Sequence, residues 1–196
     1  MPLPPSPTAY SRHLARLIQA RPELRDELGA AAPLDAALLH AWLGETPLAA
    51  DNLKPALRRV KQRALARIAG RDLTGGADLA EVVESMTLVA DAALAAALEA
   101  TEAALVARYG APRNAAGARQ RLIVVGMGKL GGRELNVSSD IDLIFVYPED
   151  GETDGAKSIS NFEFFTRLGR QLIAAIAEVT GDGQVFRVDM RLRPNG

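Results

Sequence analysis

The chain has 196 residues, of which 48% are hydrophobic and 24% charged, with a net charge of −1 and no cysteine. That is long enough for one ordinary domain and apolar enough to bury a core. The near-neutral balance gives no general attraction to nucleic acid or to a membrane, and the missing cysteines exclude disulfides and thiolate metal sites.

The opening MPLPPSPTAYSRH has no apolar signal core, and no run of about 18 apolar residues follows it, so a cytoplasmic chain is expected. The Ala- and Leu-rich first half repeats at helical spacing. Leu34, Leu38, Leu39 and Trp42 follow that spacing after Pro33. Leu57, Val60, Ala64, Leu65 and Ile68 form a second stripe ending near Gly70. Leu79, Val82, Val83, Met86, Val89, Ala93 and Ala97 form a third, which runs to about Arg108 and stops at Gly110–Pro112. The cations Arg58, Arg59, Lys61, Arg63, Arg67 and Arg71 read as the wet face of an amphipathic helix, in preference to a phosphate patch. His13 and His40 have no acidic or histidine partner at ligand spacing and read as structural or surface residues.

After the polar linker NAAGARQ the period shortens. LIVVGMG reads as a short buried strand ending in glycines, DIDLIFVY as a second strand and PEDGETDGAKS as a loop. NFEFFTRLGRQLIAAIAEV is an amphipathic helix with Phe162, Phe165, Leu168, Leu172, Ile173 and Ile176 on its core face. TGDGQ is a turn, and VFRVDMRLRP alternates as a strand. The expected organisation is a helical region over 1–112, then a β–turn–β–α–β core over 120–196 that stops early, as a piece of a longer protein would.

The second strand poses the chemical question. Two aspartates, Asp140 and Asp142, interrupt an apolar segment, and burying unpaired carboxylates is costly. Strand alternation puts them on one face, about 7 Å apart at the Cα atoms, where their oxygens can converge on a divalent cation. Oxygen-only ligation suits Mg²⁺ or Mn²⁺, with two ions about 3.5–4 Å apart as the natural arrangement. The simpler alternative is a pair of solvated strand-edge aspartates. In VFRVDMRLRP, alternation places Arg187, Asp189, Arg191 and Arg193 together, so a strand paired beside DIDLIF makes Asp189 a third ligand. Arg191 and Arg193 are then candidates to hold phosphate oxygens. A salt bridge from Asp189 to Arg191 or Arg187, or a merely solvated cationic face, is the competing reading. Gly126, Gly128, Gly131 and Gly132 permit a tight turn and close backbone approach to phosphate, with Lys129 as a point charge and Ser138 and Ser139 as hydroxyls beside the aspartates.

The stretches GMGKLGGRELNVSSDIDLIF, NFEFFTRLGRQLI and GQVFRVDMRLRP resemble the glutamine synthetase adenylyltransferase/adenylyl-removing enzymes. Those enzymes belong to the polymerase-β-like nucleotidyltransferases, and the resemblance covers roughly residues 50–196. It implies an α/β (α+β) fold with a small mixed or antiparallel sheet and a preceding helical region. It also implies Asp140, Asp142 and Asp189 as metal-binding catalytic residues. The motif wording resembles the N-terminal, deadenylylating half, which removes AMP from a tyrosine of adenylylated glutamine synthetase by phosphorolysis and yields ADP. ATP, used by the other half, and a PII-type signalling protein are implied partners of the full-length protein; neither nucleic acid nor membrane is. Two alternatives stay open: a catalytically silent module that binds glutamine synthetase, and a uridylyltransferase of the same superfamily.

Overall fold

Helices dominate because three long segments, Leu53–Leu73, Leu79–Tyr109 and Asn161–Ala177, keep the helical period, and the last two are capped by Asp78 and Ser160. The computed structural model describes residues 6–49 and 51–190; Arg191, Leu192 and Arg193 lie outside the described residues. Four short helices, α1 (Pro7–Tyr10), α2 (Arg12–Ala20), α3 (Arg25–Leu28) and α4 (Ala36–Gly44), precede α5 (Leu53–Leu73) and α6 (Leu79–Tyr109). The Asp78 carboxylate caps α6 by accepting from the Glu81 N–H at 2.8 Å, and Gly110, at φ +83, ends it. Helix α5 does not stop at Gly70. That glycine is buried, and a Cβ there would lie 2.1 Å from the Leu28 carbonyl oxygen, so it marks a helix crossing and not a terminus. Among the described residues no helix is long and apolar enough to cross a membrane.

The second half carries two small sheets. The strand β1 (Pro112–Asn114) pairs antiparallel with β4 (Gly151–Thr153). Both were expected to be irregular, since polar pairs such as Arg113 opposite Glu152 give no apolar alternation to read. The main sheet has the order β2–β3–β5: β2 (Ile123–Met127) runs antiparallel to β3 (Ile141–Val146), and β3 runs parallel to β5 (Val188–Asp189). It is therefore mixed. A one-turn helix, α7 (Gly128–Gly131), joins β2 toward β3, and α8 (Asn161–Ala177) crosses back before β5.

One face of this sheet packs on the helices. Ile141 and Leu143 of β3 are buried in a single cluster with Leu57 and Val60 of α5, Met86 and Val89 of α6, and Leu172 and Ile176 of α8. Gly169 lets α8 close onto β3, because a Cβ there would stand 2.9 Å from the Phe145 ring. The stripe of α8 is shifted from the expected one: Phe162 is 67% exposed, while Phe164 and Phe165 go inside, edge to face at 5.5 Å. Nor is β2 a fully buried strand. Ile123, Val125 and Met127 face outward, so the strand alternates between core and surface.

The basic residues of α5 are the largest departure. Of the six cations read as a wet face, only Arg59 is exposed. Arg63 and Arg67 lie over the Trp42 ring, at 4.3 and 5.7 Å, and both reach the Glu27 carboxylate. Arg71 pairs with Glu81 at 2.5 Å, and Arg58 is 1% exposed. Long cationic side chains bury their stems while their heads find acceptors, so the α5 face is a seam between layers.

Candidate functional site

The aspartates stand on the sheet face that the helices leave open. Asp142 lies within β3 and is exposed, while its neighbours Ile141 and Leu143 point into the core. Parallel pairing puts Asp189 of β5 directly beside Asp142 in register. Register partners share a face about 4.8 Å apart, so two carboxylates from different strands stand side by side. Asp140 is exposed immediately before β3, and its carboxylate pairs with the Arg187 guanidinium two residues before Asp189. Among the described residues no three His, Cys, Asp or Glu side chains already close around a common point.

Gly128 fits beneath this pair. It adopts φ +54, and a Cβ there would lie 2.9 Å from Asp142 Oδ2, so a side chain would be strained and would also displace the carboxylate. Gly131 is needed for a different reason: a Cβ would stand 2.5 Å from the Gly126 carbonyl oxygen, where α7 folds back on β2. Gly132 caps α7 at an ordinary helical φ of −80. Lys129 on α7 is exposed; Ser138 is exposed and Ser139 partly covered, both in the segment leading to Asp140. The glycines thus explain the turn and its contact with Asp142, while Arg191 and Arg193 fall outside the described residues.

Two arginines complete the surroundings, of which only Arg133 escaped sequence reasoning. Arg187, which alternation groups with Asp189, has its guanidinium on the Asp140 carboxylate. Arg133 is the one described non-glycine residue with positive φ, +58, and its guanidinium binds Glu84 and Asp91 on α6. It ties the end of the glycine turn to the helical layer. The pair of glycines just before it was the only sequence cue, since an αL arginine has no composition signature.

Chemically, two adjacent carboxylates at the open edge of a strand pair suit a hard divalent cation bound through oxygen, and Asp140 can join them by releasing Arg187.

Comparison with known proteins identifies the family of the chain. The family model described as glutamate-ammonia ligase adenylyltransferase matches residues 7–196. The chain is 53% identical over 190 residues to the bifunctional glutamine synthetase adenylyltransferase/adenylyl-removing enzyme of Aromatoleum aromaticum, covering 96% of this chain and 20% of that protein. Identity to the enzyme of the same name from Burkholderia mallei is 56% over 198 residues, covering 96% and 21%. With that from Chromobacterium violaceum it is 52% over 191 residues, covering 95% and 21%. The chain thus spans about a fifth of the length of the curated relatives it matches.

Proposed function

This chain belongs to the glutamate-ammonia ligase adenylyltransferase family, and from that premise we propose that it carries a nucleotidyl-transfer centre that removes AMP from adenylylated glutamine synthetase. The observation that supports the reading best is the register pairing of Asp142 with Asp189 on the open face of the sheet. Membership of this family favours adenylyl over uridylyl chemistry, and the motif wording favours the deadenylylating direction.

In the proposed reaction an oxygen of inorganic phosphate attacks the AMP phosphorus in line. The new P–O bond makes ADP, the bond from phosphorus to the tyrosine oxygen breaks, and the proton of hydrogen phosphate ends on that oxygen. Asp142 and Asp189, with Asp140 once freed from Arg187, would hold Mg²⁺ or Mn²⁺. When bound, the ions supply charge stabilisation for the entering and leaving oxygens. Lys129, next to Gly128, and Ser138 and Ser139, just before Asp140, would orient phosphate oxygens, and Gly128 leaves the space beside Asp142 Oδ2 open.

The test is ADP release from adenylylated glutamine synthetase with Mg²⁺ and phosphate, with Asp142→Asn as control. ADP that requires phosphate, metal and Asp142 is the expected result. ADP formation undiminished in Asp142→Asn would overturn the site; a folded chain that binds adenylylated glutamine synthetase without turnover would instead support the silent binding module.

A further inference from the structure

The strand that delivers Asp189 is too short to place itself. In the described residues β5 has two members, and parallel pairing is the weaker kind. A slip of one residue would turn Asp189 to the opposite face of the sheet. Contacts outside the two-residue pairing can fix the register, and the segment between α8 and β5 carries a set of them.

That segment is fastened carbonyl by carbonyl from α5. Arg58 Nη1 donates to the Ala175 carbonyl at 3.1 Å, Nη2 to that of Glu178, and Nε to that of Gly183 at 2.8 Å. A further bond to Lys54 O, at 2.9 Å, anchors the guanidinium to its own helix. Gln62 Nε2 donates to Asp182 O at 3.1 Å. Lys61 Nζ donates to Val185 O and lies 4.7 Å from the centre of the Phe186 ring. The backbone N–H groups of Val185 and Phe186 both donate to Ile176 O, and the N–H of Ile141, at the head of β3, donates to Arg187 O at 2.9 Å. The line of contact runs without a gap from α5 to the strand pair. Arg58 spends its buried charge on peptide carbonyls, the acceptors that define where a chain runs, and Arg is suited to this by its fixed fork of five donors.

We propose that Arg58 and Lys61 are positioning residues for Asp189: they fix the entry into β5, and so the register that sets Asp189 beside Asp142. The proposal rests on the nucleotidyl-transfer reading of the carboxylate face. It makes the helical layer a part of the site's construction.

The test uses the whole 196-residue chain and two readouts, Mn²⁺ affinity by electron paramagnetic resonance and amide exchange at Ile141. Lys61→Met keeps the stem against Phe186 but removes the donor to Val185, and Arg58→Lys keeps charge but loses the fork. Each should weaken Mn²⁺ binding about tenfold or more, the usual scale for a residue that orients a metal ligand, and each should speed exchange at Ile141. Combining Lys61→Met with Asp189→Asn should weaken binding no further than Asp189→Asn alone, because both changes act through one carboxylate. Lys61→Arg should restore both readouts. Additive losses, or a folded Lys61→Met with unchanged Mn²⁺ affinity and unchanged Ile141 exchange, would reduce these residues to structural supports. If the wild-type chain binds no Mn²⁺, the functional reading fails separately, and Ile141 exchange still decides the positioning.

Discussion

The α5 seam and the carboxylate face are both dense in charge, and the fold treats them oppositely. On α5, charge is taken out of water and given to acceptors: Arg58 to four carbonyls, Arg63 and Arg67 to Glu27 across the Trp42 ring. On the sheet, Asp140 and Asp142 stay in solvent, away from the core. Buried charge that is fully satisfied holds structure in place; exposed carboxylates contribute little to stability and are available for chemistry. The two regions should therefore differ in what mutation costs: changes in the seam lower stability, and changes on the carboxylate face leave it nearly untouched.

The sharpest break is at Arg58. Arg58→Ala strips donors from carbonyls on two elements and should destabilise the chain by about 3–5 kcal/mol, read from urea denaturation. A loss below about 1 kcal/mol would mean that water replaces the guanidinium and that the seam is not dry.

Next in size is Lys61. Burial, reinforced by nearby Arg58, lowers its pKa from 10.5 to about 8. Between those values the unfolded chain still holds the proton that the folded chain has released, so stability climbs as pH rises through that window. From about pH 7 to about pH 10, the wild type should gain about 2–3 kcal/mol relative to Lys61→Met, which has nothing to titrate. Parallel denaturation midpoints for the two proteins at both pH values would reveal a solvated lysine instead.

The smallest effect belongs to the face proposed for chemistry. Asp142→Asn should change stability by no more than about 0.5 kcal/mol, while abolishing the activity proposed for the site. A large change in stability would place Asp142 with the seam, as a structural residue.

Much of this was legible in the chain. The long helix α6 is written in period and punctuation, with caps at Asp78 and Gly110 that follow local rules, whereas α5 was legible in its period and not in its end. The polar strands β1 and β4 were not legible, because three-residue pairings of Arg, Asn and Glu carry no alternating pattern. Phe162 and Phe165 fit a helical stripe equally well on paper; closure of α8 on β3 at Gly169 selected Phe164 and Phe165 and left Phe162 outside. The cations of α5 misled for a related reason: a positive side chain looks the same in sequence whether it meets water or a carbonyl.

The sequence by itself determined that Asp142 faces away from Ile141 and Leu143, since alternation along a strand is a property of the local backbone. It also determined that a glycine precedes this aspartate where the chain turns at φ +54. Only the tertiary structure decided which carboxylates stand together. The pairing of Asp142 with Asp189 is a register between strands, and Asp140 is held instead by Arg187. That register depends on bonds such as Arg58 to Gly183, whose partners lie 125 residues apart, a separation that no local pattern encodes.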